Sequence, residues 1–177
     1  MSADDGNSSP NPTQPLFVRQ LEAVFKLEFH HKPLLKQALV HTSYANEQPV
    51  DAPESNERLE FLGDALLDFV VAMDLYRRHP YMTEGDLTMA RSALVSEQAL
   101  AKTARRIGLG EYLFLGQGEE GSRGRERDSI LSGGLEALMG AVLVDQGYQV
   151  ASDFVLNLLE PEIKSLTLAG GATQDFK

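Results

Sequence analysis

The stretch NERLEFLGDALLDF, residues 56–69, has the Leu, Phe and Ala content of a buried helix and yet carries Glu57, Glu60, Asp64 and Asp68. At about 100° per residue, with Leu62 set at zero, Leu59, Leu66, Phe69 and Met73 fall within about 60° of it, which is the pattern of a core stripe. The four carboxylates cluster between about 160° and 240° on the same wheel. A solvated face, helped in the first turn by the helix dipole, would explain them; so would a fold that holds negative charge for a purpose. Leu67 and Val71 lie on the acidic side, so the helix is apolar almost all round near Asp64, and a cleft is predicted around that carboxylate. Phe61 stands well off the core stripe and predicts a second packing surface, such as another subunit.

Outward from this segment the chain reads as helices. Apolar residues recur at helical spacing through Leu16, Val18, Leu21, Val24 and Phe25, and again through Leu34, Leu35, Ala38 and Leu39, with Pro33 suited to a first turn. A polar loop with Pro49 and Pro53 leads to Ser55 or Asn56 as cap of the central helix, which Pro80 ends near His79. Thr83, followed by Glu84 and Asp86, starts another, and a break near Ser96 opens one that runs to Ile107 and stops at the Gly-Leu-Gly of 108–110. Residues 116–128, GQGEEGSRGRERD, read as a glycine- and charge-rich loop. Ser129 then caps an apolar helix to about Asp145, Gly147 ends it, and an amphipathic helix follows from about Val150 to Leu159 or slightly beyond Pro161. No pair of strands is legible. The expectation is an all-α fold around the long central helix, occupying 14–168, with 1–13 too polar to fold.

Composition narrows the function. The 177 residues suit one domain with a real core, 42% of them hydrophobic. No apolar run of about 18 residues occurs, and the N-terminus is acidic and polar where a signal peptide is basic and then apolar, so a soluble cytoplasmic protein without a membrane partner is expected. With no cysteine, thiolate zinc sites, disulfides and a Cys nucleophile are excluded. The four histidines lack spacing for a His-and-Asp phosphohydrolase. A net charge of −10 argues against a generic grip on nucleic acid, but acids that hold cations count toward that total.

One helix cannot close a metal cage. Glu57 and Asp64 lie about 10 Å apart along the axis, whereas paired ions sit about 3.5–4 Å apart. Neighbouring ligands such as Glu60 and Asp64 suffice for Mg²⁺, which keeps several waters, if another element adds an acid. Glu136, the lone acid of LSGGLEALMGAVL, is the candidate, since an unpaired charge in so apolar a helix is costly without a cation.

NERLEFLGDA closely resembles the signature of the ribonuclease III family. Its surroundings match in order and without large gaps from about residue 15 to 160: ALVHTSYANE at 38–47, EGDLTMARSALVSEQALAKTARRIGLGEYLFLGQGEE at 84–120, RERDSIL at 125–131 and LEALMGAV at 135–142. The resemblance implies a helical endonuclease domain that forms a homodimer and cuts double-stranded RNA with Mg²⁺, Mn²⁺ substituting, to leave 5′-phosphate and 3′-hydroxyl ends with a short 3′ overhang. It matches Glu60, Asp64 and Glu136 to metal-binding acids, Asp64 and Glu136 among them catalytic, and Glu57 and Glu84 to acids near the site. Phe61 matches the aromatic residue that inserts into the partner subunit.

The sequence departs from that pattern where it carries Gly133, three residues before Glu136, in place of an Asp. Asp68, one turn beyond Asp64, is the candidate for partial compensation, and reduced rather than absent activity is expected. The alternative is a catalytically weakened dimer of the same fold that serves as an RNA-binding or ribosome-associated module. The closing QDFK resembles the start of a double-stranded RNA-binding domain, so 169–177 is expected to be a linker toward one. His41 is expected to be a structural hydrogen-bonding residue. Arg58 is expected near the core side of its helix, paired with an acid. Arg123, Arg125 and Arg127 are weak candidates for phosphate contacts.

Overall fold

The computed structural model describes residues 15–48 and 53–171. The expected N-terminal tail, 1–13, lies outside these residues, as does most of the expected linker; helix runs on to Gly171. The described residues are helical apart from connections and one isolated parallel bridge between Val40 and Phe114, so the all-α expectation holds.

Helices α1 (Pro15–Phe25), α2 (Lys32–Ala38) and α3 (Thr42–Glu47) lead into the central α4 (Glu57–Arg78). They are followed by α5 (Glu84–Leu94), α6 (Glu97–Arg106), the short α7 (Gln117–Gly121) and the long α8 (Asp128–Gly171). The local chemistry explains most boundaries. Thr83 and Asp86 form a capping box on α5, each side chain accepting from the other's backbone N–H at 3.2–3.3 Å. Ser96 Oγ accepts from Ala99 N at 3.3 Å and starts α6. Gly108, at φ +69°, ends α6 as expected, and Gly147, at φ +81°, breaks α8 into two arms.

Four expectations are corrected. The six-residue α3, inside what reads as loop, is too short for a periodic signal. Asn56 occupies the N-cap position of α4 without capping it: its side chain is buried and donates to the Ala38 carbonyl at 3.2 Å. Helix α8 begins at Asp128, so Ser129 lies within its first turn rather than before it. Residues 116–128 are not an open loop; α7 and a 3₁₀ turn at Gly124–Glu126 fold them against the 109–113 turn. Arg125 holds that fold by donating to the Gly110 and Leu113 carbonyls, both at 2.7 Å, and pairing with Glu120.

The core is built where α4 and α6 pack on the first arm of α8, whose Leu135, Leu138 and Met139 are fully buried; each contributes about 2 kcal/mol by burial. On α4 the buried residues are Leu59, Gly63, Leu66, Leu67, Val70, Val71 and Leu75. The core stripe is therefore rotated by roughly a quarter turn from the expected one. Leu59 and Leu66 belong to it, but Leu62 and Met73 are half-buried and Phe69 is exposed. Arg58, expected near the core, is exposed for the same reason and pairs with Glu54 at 3.5 Å.

Two glycines explain the rotation. A Cβ on Gly63 would lie 1.8 Å from the Glu136 carbonyl oxygen, and one on Gly140 would lie 2.1 Å from the Leu59 carbonyl oxygen. Side chains at either position would hold the helices apart, so α4 and α8 touch backbone to backbone because both residues lack one. Gly63 therefore defines the centre of the packed face, and the bulkier residues a third of a turn away lie at its margin or outside.

Candidate functional site

The crossing at Gly63 decides which acids meet. Glu60 and Asp64 flank the glycine, and Glu136 is the residue whose backbone it touches, so three carboxylates from two helices come to one edge of the crossing. Among the described residues none of the three side chains has a hydrogen bond or ion pair. Burial, followed by the charges of Asp64, Glu60, Asp68 and Glu97, pushes the Glu136 carboxyl up to about 7. Burial, then Glu57 and Asp64, raises Glu60 as well. Like charges gathered without a paired base are the kind of perturbed group found at functional sites.

The donor set is all carboxylate, the chemistry of a hard divalent cation. Among the described residues no three Asp, Glu or His side chains converge as metal ligands, so a cation shared by these carboxylates would require side-chain movement. Glu60 has the space for it: its carboxylate lies flat over Gly133, beside a cavity of about 170 Å³ lined by His41, Thr42, Glu57, Gly133 and Gly134 among others.

The remaining candidates divide. Glu57 stands at the rim, accepting from Ser55 Oγ at 2.9 Å and Thr42 Oγ1 at 3.3 Å. Asp68 lies within electrostatic reach of Glu136 but faces Arg91, 3.9 Å away. Glu84 accepts from Thr88 Oγ1 at 3.0 Å and lines a different, apolar cleft of about 370 Å³ between α4 and α5, with Phe69, Met73 and Tyr76. Glu97, at the start of α6, acts on Glu136 and is absent from the sequence expectations; it follows a Ser cap, where an acid reads simply as a favourable first-turn charge. Phe61 is 78% exposed and lines a cavity of about 640 Å³ with Leu34, Leu62 and Val144 of α8.

His41 takes the structural role expected of it. Its Nδ1 accepts from Ser43 N at 3.2 Å, burial lowers its pKa, and Ser43 Oγ accepts in turn from Gly116 N at 2.9 Å. Arg127 pairs with Glu119 at 3.0 Å, so Arg125 and Arg127 both have acids of their own within the folded 116–128 segment. Arg123 sits at its turn with φ +62°.

Residues 31–163 match the model of a family described as Ribonuclease-III-like. The chain is 50% identical over 149 residues to the Ribonuclease 3 of Desulfotalea psychrophila, covering 82% of this chain and 61% of that protein. It is 44% identical over 160 residues to that of Desulforamulus reducens, covering 90% and 65%. The chain thus spans about three fifths of the length of these curated relatives. Among solved structures it resembles the nuclease domain of ribonuclease III from Campylobacter jejuni, whose region involved in dimer formation is structurally flexible. That match has 40% identity and a TM-score of 0.75, and covers 81% of this chain and 96% of that one.

Proposed function

Since this chain belongs to the ribonuclease III family, we propose that it is a metal-dependent endonuclease that cuts both strands of double-stranded RNA as a homodimer in the cytoplasm. Mg²⁺ is its cation, Mn²⁺ a substitute, and the products carry 5′-phosphate and 3′-hydroxyl ends with a short 3′ overhang. The observation that supports this reading is that Glu60, Asp64 and Glu136, from two helices packed at a glycine crossing, act on one another electrostatically and have no hydrogen bond or ion pair among the described residues.

These three carboxylates would hold the cation, and their placement on two packed helices would set where a phosphate can approach. When bound, the cation supplies Lewis-acid polarisation of the scissile phosphate and acidifies water. Glu136, its carboxyl pushed up to about 7, keeps a proton in mildly acidic solution and would have to be deprotonated to serve as a ligand. Glu57, steadied by Ser55 and Thr42, adds negative charge at the rim. Metal-free, the site repels a phosphate backbone, so RNA engagement and cation loading go together.

The flank of α4 next to the acid stripe, with Phe61, Phe69 and Tyr76 exposed, fits a second copy of the chain. Two-fold symmetry then supplies an equivalent site for the other strand, and the duplex is recognised by the shape of its A-form helix. Gly133 is the observation that favours the second reading, an RNA-binding dimer with weakened catalysis.

Incubation of the purified protein with long duplex RNA and Mg²⁺, beside Glu136→Gln and Gly133→Asp, separates the two. Cleavage that the first change abolishes and the second raises supports the enzyme. Binding of duplex RNA with no cleavage at any Mg²⁺ or Mn²⁺ concentration overturns it in favour of the binding module.

A further inference from the structure

Gly133 also has a consequence for its neighbour. A Cβ at this position would lie 3.0 Å from Cδ and Oε2 of Glu60 and 3.1 Å from its Oε1. All three terminal atoms are nearly equidistant, so the carboxylate lies face-on against the glycine, in space that a side chain at 133 would claim. It rests there on the backbone of α8 without a hydrogen bond or ion pair among the described residues, while those same residues present no converged ligand set.

We propose that Gly133 acts as a positioning residue by giving the Glu60 carboxylate a resting place on α8, a pose that competes with the convergence of Glu60, Asp64 and Glu136 on a cation. This rests on the metal-dependent reading above. The apparent affinity for a cation is the intrinsic affinity multiplied by the fraction of molecules whose ligands are free to converge. A resting pose held by about 70–90% of molecules therefore weakens binding about 3- to 10-fold. Glu60 is the flexible end of a long side chain, so an added methyl displaces it at little cost to the backbone, and alanine is the better helix former at 133.

The test is the affinity for Mn²⁺ alone, by calorimetry and the paramagnetic resonance of the free ion, in the wild-type chain and in Gly133→Ala. Tightening of about 3- to 10-fold is expected. Unchanged or weaker binding overturns the proposal, because Glu60 has then moved into the adjoining cavity or was never held back. A second measurement uses the unmutated protein. A nuclear Overhauser contact between the Glu60 side-chain methylene and the Gly133 Hα should be present without metal and disappear as Mg²⁺ saturates the site; its survival at saturation also overturns the proposal. If neither protein binds Mn²⁺, the metal-dependent reading itself fails and takes this one with it, an outcome distinct from binding that Gly133→Ala leaves unaltered.

Discussion

The two flanks of α4 depart from an ordinary amphipathic helix in opposite ways. Toward α8 the helix sets Glu60 beside Glu136, like charges in a partly desolvated place, while Asp64, for which a cleft was expected, is exposed at its edge. On its other flank it exposes Phe61 by 78%, Phe69 by 52% and Tyr76 by 70%, with Phe69 leaning on Tyr148 of the second arm of α8 at 6.0 Å between ring centroids, aromatic surface that water solvates poorly. Each flank costs the isolated chain free energy, and each would be relieved by something from outside: a cation on one side, a second copy on the other. Glu60 and Phe61 are consecutive, so the register of one helix fixes both relations together. The difference teaches that an acid stripe and an apolar stripe on one helix need not be its wet and dry sides.

The comparison breaks most severely at the crossing that creates it. Gly63→Ala places a methyl 1.8 Å from the Glu136 carbonyl oxygen, a backbone clash that can be relieved only by separating α4 from α8. Destabilisation of at least about 3 kcal/mol in urea unfolding is expected, or failure to fold. Gly118→Ala, where an added Cβ meets nothing within 4 Å, should stay within about 0.5 kcal/mol. Equal stability of the two variants would mean that the helices are not in backbone contact.

The acid flank is sharpened by Glu136→Gln. Cleavage of duplex RNA should fall at least about 100-fold, yet the metal-free protein should gain stability. In the fold the Glu136 carboxyl titrates near 7, above its ordinary 4.5. The protonated form is thus favoured by folding: stability is fully present below about 4.5 and is lost as pH rises through 7. The variant should therefore exceed the wild type by about 1–2 kcal/mol at pH 8, after allowance for solvent screening, and match it at pH 4.5. Thermal unfolding at the two pH values checks this; a variant less stable than wild type at pH 8 contradicts the unpaired charge.

Much of this was legible in the sequence, and the misses share a cause. The helical class, the ends of α4 at Asn56 and His79, the Ser96 break and the stop at Gly147 follow from local rules of capping, proline and glycine. Pairing Glu60 and Asp64 with Glu136 came from charge in apolar surroundings together with the family motifs. The orientation of α4 did not follow, because a helical wheel weighs residues by hydropathy, and Gly63 has almost none. Its importance comes from what α8 brings to it, a contact 73 residues away in sequence. Placing the core on Leu62, Phe69 and Met73 centred the stripe about a quarter turn from the packed face, so that two of them lie at its margin and Phe69 outside it. Glu97 was missed for a related reason: nothing local distinguishes it from any acid after a serine cap. The internal pairs of Arg125 and Arg127 likewise depend on how 116–128 folds back on the 109–113 turn.

The apolar flank gives the next prediction. Phe61→Ala should weaken self-association about 10- to 100-fold in sedimentation equilibrium, while the stability of the dilute chain changes by less than about 0.5 kcal/mol, because the side chain is already in water. A large stability loss without a change in association would assign Phe61 to the monomer's own packing.

The smallest effect is expected at Asp68, the acid nearest to both relations. It faces Arg91 at 3.9 Å with both side chains substantially exposed, a pair worth about 0–1 kcal/mol. It also acts on Glu136, after burial and the charges of Asp64 and Glu60. Asp68→Ala should therefore lower the Glu136 pKa slightly, since one repelling charge is gone, and weaken Mg²⁺ binding by no more than about 3-fold, since a screened charge and no ligand is lost. Calorimetric titration with Mg²⁺ at pH 8 distinguishes the possibilities. A loss of tenfold or more would make Asp68 a ligand that turns from Arg91 toward the site when the cation enters, and so a replacement for the acid missing at Gly133. An unchanged affinity would leave Arg91 as its sole partner and confine the site to the three carboxylates at the crossing.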